Sequence, residues 1–383
     1  MKKVFILTFI FIMLMPIRVY AKEEKLLSNA DSGILIEVST GNIIYEKNKD
    51  KKAFVASLTK MVVQTIILVN LEKGKIKLSD VVTISKNAAD MGGSQIYLTE
   101  GEKMTVKDLL KGISVASGND ATVAMAEYIG GSEEKFVKMM NDKAKELGLK
   151  NTSFKNSTGL DEKGHYSTAY DMAIVARNLI LNHEQILKYS SIYEDYLRKG
   201  TENEFWLVNT NKLIRYYEGA DGLKTGHTDN AKYCLAATAK KNNMRLLAIV
   251  LGEEKAKVRN NEAMNLLDYG FNNKKISTLL NKNKAVEKVR VSKGDKNSIN
   301  ALLKRDLTVL QDKITSKHKY TYKIKMDSLC VPIKKNDLVG KIKVYENNKF
   351  ITEGDLISDR NVNELSYFEL YINTLKNSIL GIN

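Results

Sequence analysis

The chain has 383 residues, of which 43% are hydrophobic and 27% charged, and Lys and Arg outnumber Asp and Glu by 60 to 45. This size and apolar content exclude a disordered chain and a fibrous repeat, and they favour two domains. Residues 272–383 hold 22 basic and 12 acidic residues, so this last segment carries most of the net charge of +15. Such a surplus suits either nucleic acid or an anionic surface as a partner.

The first residues have the pattern of a signal peptide. Lys2 and Lys3 precede an almost wholly apolar run from Val4 to Ile17, and Val19-Tyr-Ala21 fits a small-residue cleavage site. The run is too short for a comfortable membrane span, although an uncleaved anchor is the alternative. We therefore predict a signal peptide over residues 1–21 and an exported protein, which argues against nucleic acid as the partner.

The next part of the chain, residues 22–271, predicts an α/β domain. Alternating residues over 32–45 predict a hairpin, and apolar residues from Ser57 to Gly74 have helical spacing. Further helices are expected near residues 106–116, 119–130, 132–147, 168–182 and 255–269. Strands are expected at Tyr233–Lys240 and 245–251. Because strands stand at both ends of the domain, we expect one sheet that joins them, flanked by helices.

After Phe271 short apolar runs alternate with turns, which is typical of a small all-β domain. We place this accessory domain at residues 272–360. Helical spacing returns over residues 361–383, which predicts a C-terminal amphipathic helix. Two cysteines and four histidines, without the spacing of a metal-binding pair, predict neither a disulfide framework nor a metal site.

The first candidate for chemistry is Ser57-Leu-Thr-Lys60 at the start of the first long helix. Residues i and i+3 share a helix face, so Lys60 can reach the hydroxyl of Ser57. A serine needs a neighbouring base to become a nucleophile, and a lysine can serve when burial destabilises its charged form. The tetrapeptide alone is weak evidence, because the same spacing recurs at Ser132 and Ser316 and because a serine here could simply cap the helix.

Two further motifs follow in the chain. In Ser117-Gly-Asn119 the serine could relay a proton and the asparagine amide could bind a substrate amide, with a helix cap again as the alternative. In Lys224-Thr225-Gly226 the ammonium and hydroxyl groups suit a carboxylate, and the glycine would let a substrate backbone approach. An exposed strand ending in a glycine turn is the alternative for this third motif.

The three motifs occur in the order of the signature shared by penicillin-binding proteins and β-lactamases. With connecting segments such as Phe154–Leu160 and Leu267–Phe271, residues 27–271 resemble the low-molecular-weight penicillin-binding proteins, and specifically a serine-type D-alanyl-D-alanine carboxypeptidase. The resemblance implies a β-lactamase/transpeptidase-like D,D-peptidase domain over residues 22–271. Its antiparallel five-stranded sheet would be flanked by helices, and a small β-sandwich would follow it.

The resemblance also implies roles for individual residues. Ser57 would attack the carbonyl between two D-alanines, Lys60 would be the general base, and Ser117 would help pass the proton to the leaving amine. Backbone N–H groups of Ser57 and of the histidine after the third motif would stabilise the oxyanion, and Arg259 would border the site. The residues implied for substrate binding are Asn119, Lys224, Thr225, Gly226 and His227. No cofactor is implied.

For partners, the resemblance implies peptidoglycan stem peptides as substrates and β-lactams as inhibitors, at the outer face of the cytoplasmic membrane or in the cell wall. Such proteins commonly dock on that membrane through a C-terminal helix. Segment 361–383 fits by spacing, but Lys376 is its only basic residue, so packing on the β domain is the alternative. A β-lactamase and a non-catalytic wall-binding protein are the alternative functions.

Overall fold

The computed structural model describes residues 26–314 and 318–372. The signal peptide predicted for residues 1–21, and the last part of the predicted C-terminal helix, lie outside the described residues. The helices are α1 (Lys60–Glu72), α2 (Lys86–Ala89), α3 (Val106–Val115), α4 (Asn119–Gly130), α5 (Glu133–Glu146), α6 (Ala169–Asn182), α7 (Leu187–Ser190), α8 (Leu213–Tyr216) and α9 (Ala256–Asn273). Short 3₁₀ helices lie at Ala56–Thr59 and Glu184–Ile186.

The strands of the catalytic domain are β1 (Ser32–Glu37), β2 (Ile43–Lys47), β3 (Val81–Thr83), β4 (Lys103–Thr105), β5 (Glu194–Leu197), β6 (Phe205–Val208), β7 (Ala220–Thr228), β8 (Lys232–Lys241) and β9 (Met244–Glu253). Those that follow are β10 (Lys274–Leu280), β11 (Ala285–Arg290), β12 (Ser298–Leu303), β13 (Leu307–Asp312), β14 (Tyr320–Met326), β15 (Leu338–Glu346) and β16 (Lys349–Ser358).

The first domain is built on an antiparallel five-stranded sheet with the order β2-β1-β9-β8-β7. Ser32 of β1 lies opposite Leu251 of β9, so the two ends of the domain meet in one sheet. Successive side chains of a strand point to opposite faces. Ile34 and Ile36 therefore pack with α1 and α3–α6 in one core, while Leu35 packs with α9 in another. Helices cover both faces, which confirms the predicted fold class.

Helix α1 lies at the centre of the first core. Its residues from Lys60 to Leu68 are all buried, and a helix that is buried on every side is a core helix rather than a surface one. Its α-helical hydrogen bonding begins at Lys60, because residues 56–59 form a tighter 3₁₀ turn. The helix predicted from Ser57 thus begins three residues later, and Ser57 lies in the turn that leads into it.

The C-terminal part is all-β. A five-stranded sheet with the order β11-β12-β16-β15-β14 accompanies the pair β10-β13, and a separate core contains Ile299, Leu303, Ile342 and Leu356. Helix α9 ends at Asn273, two residues after the boundary expected from the sequence. The order of short strands agrees with the predicted small all-β domain.

Residues 361–366 differ from the predicted helix over 361–383. Val362 forms an isolated bridge with Ile333, and Glu364 forms one with Gly294, so this stretch is extended along the β domain. Helical structure begins at residue 367 and continues to residue 372. In the ranges 26–314 and 318–372, no helix has both the length and the apolar character required to cross a bilayer.

Candidate active site

Lys60 lies at the centre of the candidate site and is fully buried. Its Nζ donates to Ser57 Oγ at 2.8 Å, to Asn119 Oδ1 at 2.6 Å and to the Thr158 carbonyl oxygen at 2.8 Å. The expected contact between Lys60 and Ser57 is therefore present, and the serine does not act as a helix cap. Burial is the main reason that the pKa of Lys60 lies well below its usual value, and the nearby Lys224 lowers it further.

Lys224 and Ser117 form the second contact of the site. Lys224 Nζ donates to Ser117 Oγ at 2.8 Å and to the carbonyl oxygen of Thr225 at 2.9 Å. Burial, followed by the charge of Arg259, lowers the pKa of Lys224 to about 7. Ser117 has a φ of +64° and lies before the first residue of α4, so it too is not the cap of that helix. The three motifs predicted from the sequence thus meet in one place.

Asn119 is held at both ends of its side-chain amide. Its Oδ1 accepts from Lys60, and its Nδ2 donates to the Gly92 carbonyl at 2.7 Å. A Cβ at Gly93 would lie 2.7 Å from the same Nδ2, so glycine is required for this approach. The loop of residues 92–98 therefore borders the site through Asn119.

Asp120 is a structural residue that the sequence analysis missed. Its buried carboxylate accepts from the backbone N–H groups of Ile96, Leu98 and Ala121. It ties the loop 92–98 to the first turn of α4, where a carboxylate also suits the positive helix end. The feature of the sequence that could have revealed this role is a charged residue within an otherwise apolar helical run.

Strand β7 carries the third motif along the edge of the sheet. Thr225 Oγ1 donates to Thr210 Oγ1 at 2.7 Å. A Cβ on Gly226 would lie 3.0 Å from the Ala56 Cβ, so the glycine lets β7 approach the turn that holds Ser57. This packing role was not foreseen, since glycine was expected here for substrate approach. The exposed ring of His227 packs on Tyr233, with 4.1 Å between ring centroids.

The segment Phe154–Leu160, named in the sequence only for its family resemblance, supplies the Thr158 carbonyl to Lys60, and this role was not predicted. Its neighbour Gly159 has a φ of +85°, and a Cβ there would lie 2.0 Å from the Ala56 carbonyl oxygen. Only glycine fits this approach to the turn before Ser57. The turn-forming residues Asn-Ser-Thr-Gly at 156–159 were the available signal.

The structure also gives the surroundings of the other arginine, cysteine and serine residues that the sequence brought into consideration. Arg259 is buried and donates from Nη1 to the Cys234 carbonyl at 3.2 Å. Burial raises the pKa of the Cys234 thiol to about 11, as expected for a core residue rather than a nucleophile. Ser132 accepts from the Lys135 N–H and caps α5, and Ser316 lies outside the described residues. Nowhere in the described part of the chain do three or more His, Cys, Asp or Glu residues group as metal ligands.

His165 fixes the first turn of the nucleophile segment. Its Nδ1 accepts from the Lys155 N–H at 3.3 Å, so its proton is on Nε2, which donates to Thr59 Oγ1 at 2.9 Å. Burial lowers the pKa of His165 to about 4. The ring is therefore neutral in the folded protein at neutral pH.

We expect the free energy of unfolding to fall as the pH drops from about 6.5 towards 4, because His165 takes up a proton only when unfolded. The full difference corresponds to about 3 kcal/mol. Urea unfolding across this range tests it, with His165→Gln expected to have a flatter pH dependence than the wild type. His227→Gln, at an exposed histidine, is the control. Equal slopes for wild type and His165→Gln would contradict the assignment.

Two family models match the chain. One is described as D-alanyl-D-alanine carboxypeptidase and matches residues 20–255. The other is described as penicillin-binding protein 5, C-terminal domain, and matches residues 275–364. Between them they match most of the α/β domain and most of the all-β domain, apart from helix α9.

Individual relatives agree with these matches. D-alanyl-D-alanine carboxypeptidase DacF of Bacillus subtilis (strain 168) is 47% identical over 355 residues, which are 92% of this chain and 91% of that protein. Penicillin-binding protein 5 from Haemophilus influenzae is similar in structure with a TM-score of 0.70 and 34% identity, over 88% of this chain and 98% of that one. Penicillin-binding protein D2 from Listeria monocytogenes, solved in an ampicillin-bound form, has a TM-score of 0.58 and 30% identity over 63% and 97% of the two chains. The sequence, the fold and the meeting of the three motifs agree, and the chain belongs to the family of serine-type D-alanyl-D-alanine carboxypeptidases.

Proposed function

We propose that Ser57 is the nucleophile and Lys60 the general base of this carboxypeptidase, which removes the terminal D-alanine from peptidoglycan stem peptides. The observation that carries the proposal is the set of partners around Lys60 Nζ. The oxygens of Asn119 and Thr158 can only accept hydrogen bonds, so a neutral Lys60 directs its two N–H groups at them. Its lone pair then faces Ser57 Oγ, 2.8 Å away, and can take the hydroxyl proton.

The electrostatics of the site support this role. Burial lowers the pKa of Lys60, which favours the neutral amine that a base requires. The charge of Lys224 acts in the same direction.

Lys224 and Thr225 are the proposed carboxylate-binding groups, with Gly226 and His227 completing this edge of the site. Within the described part of the chain, buried Lys224 has no carboxylate among its hydrogen-bond partners, which suits a site that a substrate anion fills. We assign to Ser117, which accepts from Lys224, the transfer of the proton from Lys60 to the leaving amine. Asn119 positions Lys60, and the second N–H of its amide can bind the substrate.

The proposed reaction has two steps. Ser57 Oγ forms a bond with the carbonyl carbon, the bond to the leaving D-alanine nitrogen breaks, and that nitrogen takes the proton relayed by Ser117. Backbone N–H groups of Ser57 and His227 would stabilise the oxyanion. Water then hydrolyses the acyl-enzyme. A β-lactam would acylate the same serine through opening of its ring amide.

This family acts on peptidoglycan, so the chain works outside the cytoplasm. We further propose an exported form without residues 1–21, bound peripherally to the outer face of the cytoplasmic membrane. Exposed aromatic side chains support the contact, since Tyr367 is 97% and Phe368 74% exposed at the start of the terminal helical stretch. Sequencing the N-terminus of the exported protein tests the cleavage, with Lys22 expected as its first residue.

Release of D-alanine from a peptide ending in D-Ala-D-Ala tests the catalytic assignment. We expect Ser57→Ala to abolish release, because no other hydroxyl lies on Lys60 Nζ in the described residues. The matched control is Ser132→Ala, which removes the serine of the same Ser-x-x-Lys spacing. It should lower the stability by only about 1 kcal/mol, through the loss of a helix cap. Equal activity in the two variants would refute the role of Ser57.

A further inference from the structure

A cleft of about 420 Å³ lies where the two domains meet. Its walls come from the turn between β8 and β9, the end of α9, and the β10–β13 pair. The residues that line it include Lys241, Lys274, Lys275 and Lys313, together with Asn242 and Asn272. The α/β domain contributes Lys241 and the all-β domain contributes the remaining lysines, so the cleft lies at the junction of the two domains. Ligand sites occur preferentially at such junctions.

The cleft has an excess of positive charge. Asp268 is the carboxylate in its lining, and its Oδ1 accepts from the Tyr217 hydroxyl at 2.8 Å. Lys274 forms an ion pair with Asp312. In the described ranges, Lys241, Lys275 and Lys313 form no ion pair with a carboxylate, although each faces the same space.

Two of these lysines make contacts beside the cleft, and Lys241, which lies over two aromatic rings, is the better held. Lys241 Nζ lies 4.5 Å from the centroid of the Tyr217 ring and 5.3 Å from that of Phe271. Lys275 Nζ donates to the Lys313 carbonyl at 3.3 Å. Fixed ammonium groups lose less conformational entropy when an anion binds, which favours recognition over non-specific attraction.

The cleft is separate from the catalytic residues. On β8, Ala236 lies opposite Lys224, and Lys241 lies five residues farther along the same strand. At 3.4 Å per residue this places the cleft about 17 Å from the third motif along the sheet. An anion in the cleft would therefore not occupy the carboxylate site.

We propose that this junction cleft binds a phosphate group of an anionic envelope molecule. Phosphate carries more charge and more acceptor oxygens than a carboxylate, so it can satisfy several ammonium groups and an asparagine amide together. Lysine binds phosphate as a point charge, and the lining supplies four lysines. Because groups from both domains contact it, the bound phosphate stabilises their junction. The proposal does not depend on the role of Ser57.

Thermal unfolding of the full chain with inorganic phosphate tests the proposal, with sodium chloride at equal ionic strength as the salt control. We expect phosphate to raise the unfolding midpoint more than chloride does. In the double variant Lys275→Gln/Lys313→Gln this difference should be lost. The matched control is Lys138→Gln/Lys145→Gln, which removes the same charge from α5, where these side chains are 78% and 80% exposed. A phosphate effect equal to that of chloride, or retained in the cleft variant, would overturn the proposal.

Two further probes distinguish the possible sources of the phosphate. They are a soluble glycerol phosphate oligomer and vesicles containing phosphatidylglycerol. Binding of the oligomer that the cleft variant loses supports a wall polymer, and binding confined to vesicles with the same loss supports a lipid headgroup. Binding of neither probe, or binding that the α5 control loses equally, would overturn the inference. D-alanine release should be unchanged in both double variants, which distinguishes this test from that of the catalytic site.

Discussion

Replacing Lys60 with arginine is expected to lower kcat/KM for D-alanine release by at least about 100-fold, the typical contribution of a general base. Arginine keeps the hydrogen-bond donors for Asn119 and Thr158 but cannot lose its proton to become the neutral base. In the wild type, activity should rise with pH through the lowered pKa of Lys60, because only the neutral amine accepts the proton of Ser57. Steady-state kinetics and the rate of penicillin acylation across pH measure both effects.

The control for this variant is Lys135→Arg, which changes the lysine of the Ser132 segment in the same way. It should keep the wild-type rate and the wild-type pH profile. A Lys60→Arg enzyme that stays folded and retains the rising limb of the pH profile would exclude Lys60 as the base. Thermal unfolding of the variant distinguishes loss of the base from loss of the fold.

Replacing Gly159 with alanine is expected to lower the free energy of unfolding by at least about 2 kcal/mol and to reduce activity at least about tenfold. The new Cβ would lie 2.0 Å from the Ala56 carbonyl oxygen. To relieve this clash, either the turn that holds Ser57 or the Thr158 carbonyl that holds Lys60 must move. Stability and catalysis should therefore fall together, as measured by urea unfolding and D-alanine release.

Gly148→Ala is the matched control for this substitution. Gly148 has a φ of +72°, close to that of Gly159, but a Cβ there would meet no atom within 4 Å. It should cost only the backbone strain of about 1 kcal/mol, with activity unchanged. Equal losses in the two variants would mean that the contact with Ala56 does not position the nucleophile.

Contacts between residues that are close in the sequence could be predicted from their spacing. Contacts between segments that only the fold brings together could not. The separation of Ser57 and Lys60 correctly placed their side chains in contact, although the turn between them is 3₁₀ rather than α-helical. The carbonyl groups of Thr158 and Gly92, which hold Lys60 and Asn119, could not be predicted in this way. Every residue has a backbone carbonyl, so nothing in the sequence distinguishes these two.

Some structural roles were hidden because one residue type has several uses. Gly226 was expected to admit substrate, whereas its contacts show that it admits the turn around Ala56. Asp120 directly follows the second motif, yet two of its three backbone partners, Ile96 and Leu98, lie more than twenty residues earlier in the chain.

The most direct test of the central claim is to locate the penicillin adduct by mass spectrometry after tryptic digestion. Cleavage after Lys52 and Lys60 isolates residues 53–60, in which Ser57 and Thr59 are the hydroxyl residues. We expect the adduct in this peptide, and we expect it to be absent from Ser57→Ala, which retains Thr59. An adduct in the tryptic peptide 112–135, which contains Ser117 and Ser132, or an adduct that persists in Ser57→Ala, would contradict the assignment of Ser57 as the nucleophile.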